Sequence, residues 1–375
     1  MRNFPLFTIA GFRVKANPSW LLLAALIVWS LGGGFFPMRY PGLSGSTYWA
    51  MAVLGTALLF FSLLFHEFSH SLLARRRGMK IGGITLFLFG GVAELTEEPP
   101  SPRIEAEVAA AGPLSSLLLA ALFHLLALGL AAIGFPQHWS GVLAYAATIN
   151  IVLALFNLVP GFPLDGGRLL RAFLWHRSGD MLAATRTASR IGKFFAYLLI
   201  GLGILSFLTT GALGGMWWVL IGFFLMSAAS AAYEQLAARM AFEGVPIRRF
   251  IAGEPVAVEA GLPLDRFVED YAYRHHYSLY PVIDHGRPVG AIRTRDVRTI
   301  PREDWPRSHV SDLLRPLSPG ITLPADRDAA RALEQMQQSG SPQLLVLDGD
   351  RLIGVVTLGD LLRALAIRRD IDATD

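Results

Sequence analysis

Two histidines and a glutamate lie inside an apolar stretch of the chain. The segment LLFHEFSHSLL, Leu63 to Leu73, contains His66, Glu67 and His70. On a helix, residues four apart share one face, so both imidazoles can reach one ion. This H-E-x-x-H spacing is typical of zinc-dependent hydrolysis, with the glutamate as general base. Ionisable groups within apolar spans are costly, so we interpret these residues as functional rather than as hydrogen-bonded core residues.

A third metal ligand is expected from the segment NLVPGFPLDGGR, Asn157 to Arg168. Asp165 follows two prolines and precedes two glycines, so its carboxylate is expected on irregular backbone at the end of an apolar segment. Two histidines and one carboxylate leave zinc a fourth position for water, whose pKa falls to about 7. Glu67 can then remove a proton from that water. Asn157 either donates a hydrogen bond to the substrate or the developing oxyanion, or is a turn amide.

The composition indicates a membrane protein with a soluble extension. Of 375 residues, 53% are hydrophobic and 17% are charged, against about 25% charged in soluble domains. The apolar excess lies before about Met240, which predicts a membrane domain over 1–240 and a soluble part over 241–375. Cysteine is absent, so disulfides and thiolate ligands are excluded and any metal site must use His, Asp or Glu.

Six apolar segments approach the length of about 20 residues that a transmembrane helix needs. The predicted spans are 19–36, 48–73, 106–134, 141–160, 191–209 and 213–235. The first lies too deep in the chain, and has too weak a cleavage site after it, to be a removed signal peptide. We therefore expect it to remain as a permanent span.

Basic residues cluster at alternate ends of these spans, and Lys and Arg are retained on the cytoplasmic side. The clusters are Arg2, Arg13, Lys15, Arg75, Arg76, Arg77, Lys80, Arg168, Arg171, Arg177, Arg186, Arg190 and Lys193. The alternate loops contain at most Arg39. We predict a multi-pass protein of the inner (plasma) membrane with both termini cytoplasmic. The net charge of +4 belongs to this topology signal, so no nucleic-acid partner is expected.

One apolar segment, KIGGITLFLFGGVAEL from Lys80 to Leu95, is too short to span and has glycines near both ends. Such a run favours a strand or hairpin. Backbone of this kind at membrane depth must be covered by protein or line a wet cavity. The segment is predicted to be a re-entrant β-hairpin to which an extended substrate could add a strand, or an interfacial loop with no recognition role.

Four ordered motifs resemble the site-2 protease family of intramembrane zinc metalloproteases, in its bacterial, sporulation-protease-like branch. They are HEFSHSLLARRRG from His66, ITLFLFGGVAEL from Ile84, AGPLSS from Ala111 and NLVPGFPLDGGR from Asn157. The resemblance implies one zinc ion held by His66, His70 and Asp165, with Glu67 catalytic and Asn157 in contact with substrate. It also implies a substrate that is a transmembrane protein in the lipid bilayer, such as an anti-sigma factor or another membrane-tethered regulator.

The C-terminal part contains an internal repeat. YPVIDHGRPVGAIRTRD from Tyr280 and LLVLDGDRLIGVVTLGD from Leu344 superpose at a constant offset. Each copy is predicted to form a strand, a turn, a second strand and a helix. The pattern resembles a tandem pair of CBS domains, over about 246–300 and 308–368. The predicted fold is thus a polytopic α-helical membrane protein of about six transmembrane helices with a re-entrant β-hairpin, plus a soluble α+β tandem CBS domain pair.

The CBS resemblance implies a regulatory adenine nucleotide, ATP, ADP or AMP. In the second copy Thr357 is expected to meet phosphate and Asp360 the ribose hydroxyls. In the first copy Asp296 matches Asp360, but Arg293 replaces the threonine and is expected to pair with phosphate instead. The alternative is a structural or dimerising module without a ligand, because fold does not establish function. A homodimer through the CBS domains is a further expectation.

Two functions from different classes fit these patterns. The first is a zinc-dependent intramembrane endopeptidase modulated by nucleotide at the CBS pair. The second is a CBS-regulated metal or ion transporter in which the same three side chains bind a passing ion. A transporter favours polar residues over several spans and paired discontinuous helices, whereas here they gather at one depth beside a glutamate. The protease is therefore favoured.

Overall fold

The computed structural model describes residues 4–87, 90–95, 98–210, 214–251 and 253–372. The chain divides into two compact units, Met1–Glu234 and Gln235–Asp375. Each unit is built around its own core, so each is described in turn.

The first unit is helical, and the described residues contain six helices long and apolar enough to cross a membrane. This confirms the predicted number of spans. The first combines α1 (Ser19–Ser30), a π-helical segment (Leu31–Phe35) and α2 (Phe36–Arg39). The others are α3 (Gly45–Arg76), α4 (Pro102–Ala132), α5 (Gln137–Asn157), α7 (Met181–Thr210) and α8 (Gly214–Phe242).

Local sequence explains where α3 and α4 begin. The Ser44 hydroxyl accepts a hydrogen bond from the Thr47 backbone N–H, and Ser101 does the same for Ile104. Such caps satisfy donors that the first helical turn leaves unpaired. At about 1.5 Å per residue, each of these two helices exceeds the bilayer core of about 30 Å.

Large apolar side chains of the spans mostly face outward, for example Leu118 and Leu125. The inward contacts use smaller groups and a few aromatic rings. Phe36, Met51 and Val142, all fully buried, pack together and join the first span to α3 and α5. This arrangement suits lipid as solvent, in which helices associate by close packing and not by hiding apolar area from water.

A four-stranded sheet with strand order β1-β2-β3-β4 accompanies the helices. It consists of β1 (Phe4–Ile9), β2 (Phe12–Ala16), β3 (Ile81–Phe87) and β4 (Gly90–Leu95). The antiparallel β3–β4 pair confirms the predicted hairpin. The strands β1 and β2 were not predicted, although Phe12, Val14 and Ala16 alternate with two basic residues in the pattern of a half-buried strand.

A further helix, α6 (Asp165–Ser178), lies between the fourth and fifth spans, where no helix was predicted. The fourth span ends at Asn157, and residues 158–164 form the turn that leads into α6. Asp165 is therefore the first residue of a helix that follows irregular backbone. A carboxylate is favourable there because the N-terminus of a helix carries partial positive charge.

The second unit contains two similar modules, which confirms the predicted repeat. In the first, β6 (Leu279–Asp284) and β7 (Arg287–Arg293) pair antiparallel; in the second, β10 (Gln343–Asp348) and β11 (Arg351–Thr357) do so. Besides short 3-10 helices, the other elements of this unit are β5 (Val258–Glu259), α9 (Leu264–Arg266), a π-helical segment (Phe267–Ala272), α10 (Tyr273–His275), β8 (Arg315–Pro316), β9 (Thr322–Pro324), α11 (Ala329–Ser339) and α12 (Leu358–Asp372).

The two modules differ after their second strand. In the second copy the predicted helix is present as α12. In the first copy only a short 3-10 helix, Thr294–Thr299, follows β7, so the prediction of a full helix there was wrong. Pro301 explains the difference, because proline lacks a backbone N–H and disfavours helix in the residue before it.

The connecting segments of the two modules cross over. Ile247, which precedes the first module's strands, packs in the core of the second module with Leu344 and Leu361. Val310, which follows β7 and lies in the segment predicted to open the second copy, packs in the first module's core with Tyr280 and Ile292. Each module is thus completed by chain from outside its own repeat.

Candidate metal centre and nucleotide cleft

Three potential metal ligands converge inside the first unit. His66 and His70 lie one turn apart on α3, and Asp165 begins α6. The Asp165 Oδ2 atom lies 3.2 Å from His66 Nε2 and 3.1 Å from His70 Nε2, and the two Nε2 atoms are 3.2 Å apart. All three residues are buried. The structure therefore brings together the three residues that the sequence predicts.

Residues of α4 orient both imidazole rings by contacting their Nδ1 atoms. The His70 Nδ1 atom lies 2.6 Å from the Val108 carbonyl oxygen, which can only accept, so this nitrogen must carry the proton. The His66 Nδ1 atom lies 2.9 Å from the Ser116 hydroxyl oxygen. When both Nδ1 atoms donate, the Nε2 lone pairs are left to face Asp165. Metal-binding histidines usually have such partners.

The donor set fits a zinc ion. Tetrahedral ligands at the usual Zn–N distance of about 2.0–2.1 Å are roughly 3.3 Å apart, close to the three separations observed. Two imidazole lone pairs and a carboxylate oxygen at such short range repel one another unless a proton or a cation lies between them. Two histidines and one carboxylate also leave a fourth position for water or substrate.

Gly112 on α4 makes room for this centre, a role that its place in the AGPLSS motif did not predict. A Cβ atom at this position would lie 2.6 Å from His66 Nε2 and would overlap His70 Nε2. Only glycine, which carries a hydrogen atom in place of Cβ, fits at this position. No role was predicted for Val108, or for Ser116 at the end of the same motif, because a backbone carbonyl and a serine hydroxyl carry no specific signal of a metal site.

The centre lies inside a span but near one end of it. His70 and His66 precede the end of α3 at Arg76 by six and ten residues, or roughly 9 and 15 Å along a helix. The other residues of the centre also come from near helix ends. Val108 lies near the start of α4, and Asp165 follows the end of α5.

Glu67 and Asn157 lie on the helices that carry the centre. Glu67 is half-buried on α3, directly after His66. Asn157 is the last residue of α5, and its Nδ2 donates to the Leu153 carbonyl of the same helix at 2.9 Å. This local bond fits the turn-amide interpretation of Asn157, and it leaves the side-chain oxygen and a second N–H for other partners.

A cleft of about 440 Å³ lies between the two modules of the second unit. Pro255 and Tyr277 line it from the first module, and Thr357, Asp360 and Arg363 line it from the second. The Thr357 hydroxyl donates to Asp360 Oδ2 at 2.7 Å, and this oxygen also accepts from the Thr357 backbone N–H at 3.0 Å. A hydroxyl, a carboxylate and a guanidinium therefore lie around one cavity.

The corresponding residues of the first copy have a different environment. The Asp296 carboxylate accepts from Arg315 Nε at 2.7 Å and lies 3.8 Å from Arg295 Nε. Burial, followed by repulsion from Arg315 and Arg295, lowers the pKa of the Arg293 guanidinium from its usual value. In this copy the acidic side chain is already engaged by arginine, so the two copies are chemically unequal.

Comparison with known proteins decides the family. The sequence profile of peptidase family M50 matches residues 54–139 and 132–199, and that of the CBS domain matches residues 310–367. Rip3 of Mycobacterium tuberculosis, named as a candidate zinc metalloprotease, is 35% identical over 367 residues, or 97% of this chain and 93% of Rip3. The chain belongs to peptidase family M50, the site-2 proteases.

Two further similar proteins are also named as proteases. A zinc metalloprotease of Methanocaldococcus jannaschii is 28% identical over 364 residues, covering 96% of each chain. The solved structure of a site-2 protease from the same organism is 26% identical, with a TM-score of 0.45, and covers 62% of this chain and 95% of that one. The M50 chain described here is thus a membrane zinc metalloprotease with a C-terminal CBS domain, and the transporter alternative is not favoured.

Proposed function

We propose that this M50 protease hydrolyses a peptide bond in the transmembrane segment of a partner membrane protein, with His66, His70 and Asp165 as its zinc ligands. The observation that carries the proposal is the buried convergence of three donor atoms, two of which are carried by the apolar span α3. A centre at that depth acts on a chain that is itself in the membrane. A membrane-tethered regulator such as an anti-sigma factor belongs to this substrate class.

The protein residues around the centre have separate tasks. A bound zinc ion supplies Lewis acidity and lowers the pKa of a water molecule. Glu67 takes the proton of the attacking water and later returns it to the leaving amine. Asn157, at the end of α5, donates to the substrate backbone or to the developing oxyanion. Val108 and Ser116 hold the histidine tautomers that this chemistry requires.

The substrate must be extended at the point of cleavage, because the backbone groups of a helix are already hydrogen-bonded to each other. In the sheet as described, β4 lies at one edge. An edge strand presents free backbone donors and acceptors to which an extended segment can add. We infer that β4 receives the unwound substrate segment.

The termini and the CBS pair are proposed to be cytoplasmic. Six spans return the chain to the side on which it starts. The arginines after α3 and those between the fourth and fifth spans lie at the end where the metal centre is found, which supports this orientation through the retention of positive charge.

The adenine nucleotide is proposed to bind in the cleft beside Thr357 and Asp360. The second copy supplies a carboxylate for ribose hydroxyls, and Arg363 adds a cation for phosphate. The first copy is a poorer site because the Asp296 carboxylate already accepts a hydrogen bond from Arg315. Nucleotide alters proteolysis only if the cleft binds it with different affinity in two states of the enzyme.

Replacement of Glu67 by glutamine tests the protease proposal. The full-length Glu67→Gln enzyme should lose cleavage of a co-expressed single-span substrate by at least about 100-fold, because general-base catalysis contributes factors of this size. Its zinc content should stay near that of wild type, since Glu67 is not a ligand. Fragment yield on immunoblots and metal analysis of the purified protein measure the two quantities. Retained cleavage, or loss of zinc from this variant, would contradict the assigned role.

A further inference from the structure

A buried ion pair joins α6 to α4 close to the metal centre. The Arg171 Nε atom donates to Glu105 Oε1 at 2.6 Å, and an Nη atom of the same guanidinium also contacts Oε1. Glu105 is fully buried and Arg171 is 6% exposed. Glu98 lies farther from the guanidinium, at 3.6 Å. The pair is therefore shielded from solvent on both sides.

Stability alone does not explain why an ion pair is buried at this position. Removal of two charges from water costs about as much as their attraction returns, and apolar residues of similar size often serve equally well. Moreover, Glu105 Oε2 is buried and has no hydrogen-bond partner among the described residues. Buried ion pairs are best supported as devices that fix the register of one helix on another.

Glu105 lies on the face of α4 that already serves the metal centre. Residues 105, 108, 112 and 116 are spaced by three and four, so they form one stripe along the helix. Val108 and Ser116 on this stripe hold the histidines, and a Cβ atom at Gly112 would collide with both Nε2 atoms. Arg171 therefore binds α4 along the same line that aligns His66 and His70.

Arg171 also contacts the turn that precedes Asp165. It lies six residues after Asp165 on α6, or roughly 9 Å along that helix. Its guanidinium stacks over the ring of Phe162 at 5.1 Å from the ring centre, and Phe162 precedes Asp165 by three residues. One side chain thus holds α6 to α4 and also fixes the turn that leads into the ligand.

We propose that Arg171 and Glu105 are a positioning pair for the metal centre. The pair sets the register of α6 on α4, so that the Asp165 carboxylate faces the two Nε2 atoms that α4 aligns. Arg171 does not touch the metal or the substrate. The inference rests on the proposed assignment of His66, His70 and Asp165 as ligands.

The test compares the full-length enzyme in detergent with the Glu105→Met/Arg171→Met double variant. Both charges are replaced by apolar side chains, so no uncompensated charge is left buried and the protein should fold. Zinc affinity, measured by competition with a chelator, should fall by about 10–100-fold, the size of effect that changes in the surroundings of metal ligands typically have. With cobalt in place of zinc, the visible absorption bands should shift. At saturating zinc, kcat should fall while KM for the substrate changes little.

Two single variants complete the comparison. Arg171→Lys keeps a cation that can bind Glu105, and it should retain most of the zinc affinity that the double variant loses. Arg103→Met is the matched control, because Arg103 pairs with Glu107 at the exposed surface of the same helix. It should behave as wild type in every measurement.

Wild-type zinc affinity, cobalt spectrum and kcat in the double variant would overturn the positioning role. Failure of the ligand assignment would look different. In that case Asp165→Ala would retain zinc, whatever happens at Arg171. If Asp165→Ala loses zinc and the double variant does not, the ligand assignment stands and only the positioning pair is refuted.

Discussion

At the scale of single residues, the metal centre depends on a glycine, Gly112, whose lack of a side chain leaves room for the two imidazoles. The stripe of α4 that orients the histidines passes within van der Waals distance of both Nε2 atoms, and it can do so because residue 112 is glycine. Gly129 on the same helix has open space around it. A comparison of the two positions therefore distinguishes the effect of crowding at the metal centre from the general effect of glycine on helix stability.

We expect Gly112→Ala to lower zinc affinity by at least about tenfold, because the new methyl group displaces the imidazoles and small misplacements of ligands are expensive. Gly129→Ala should leave zinc affinity unchanged and alter stability by no more than about 1 kcal/mol. Zinc titration and thermal unfolding in detergent measure both effects. Equal zinc affinity in the two variants would show that the tight fit at Gly112 is not required.

At the scale of elements, the turn before α6 is held by α7. The Phe162 backbone N–H donates to the Ala188 carbonyl of α7 at 3.2 Å. A Cβ atom at Gly192 would overlap the Phe162 carbonyl oxygen and lie 2.9 Å from its nitrogen. Backbone therefore packs directly on backbone, three residues before Asp165. Since a backbone carbonyl cannot rotate away as a side chain can, this contact tolerates little change.

Gly192→Ala should push residues 158–164 away from α7 and displace Asp165, with loss of zinc and of proteolysis by about tenfold or more. Gly201→Ala on the same helix is the control, because no atom of the described residues lies within 4 Å of a Cβ atom there. Metal analysis and substrate cleavage should be wild type for the control. If Gly192→Ala also keeps full activity, the turn is positioned by other contacts.

At the scale of the whole molecule, the CBS pair is asymmetric in its chemistry. The second copy offers Asp360 beside an open cleft, whereas Arg315 holds Asp296 in the first. The last turn of α8 takes part in the second unit, since Ala238, Ala241 and Phe242 pack in the core of the second module. A ligand that shifted that module would therefore act on the C-terminal residues of α8, the last span.

Calorimetry of the full-length enzyme in detergent should show binding of ATP, ADP or AMP that Asp360→Ala weakens by at least about tenfold. The expected loss follows from hydrogen bonds to a charged group, worth about 1.5–3 kcal/mol each. Asp296→Ala is the matched variant and should change affinity little. The nucleotide bound by wild type should also change the rate of substrate cleavage. Heat unaffected by Asp360→Ala would place the ligand elsewhere, and no heat with any of the three would refute nucleotide binding.

The sequence by itself determined what depends on neighbours along the chain. His66 and His70 share a face because a helix brings residues four apart together, whatever surrounds it. The six spans follow from the length of apolar segments, and the two modules follow from the repeat after Met240. The segment around Asp165 was recognisable as irregular backbone from its prolines and glycines, and the hairpin at Lys80–Leu95 was recognisable from its glycines.

Only the tertiary structure decided which distant residues meet these groups. Val108 supplies a backbone carbonyl, which every residue has, so no pattern could mark it. The need for glycine at residue 112 is visible only when both imidazoles are placed. The partners of Arg171 and Asp296 were selected among many charged residues by the packing of helices and strands. Periodicity records contacts within an element, whereas contacts between elements depend on how the whole chain packs.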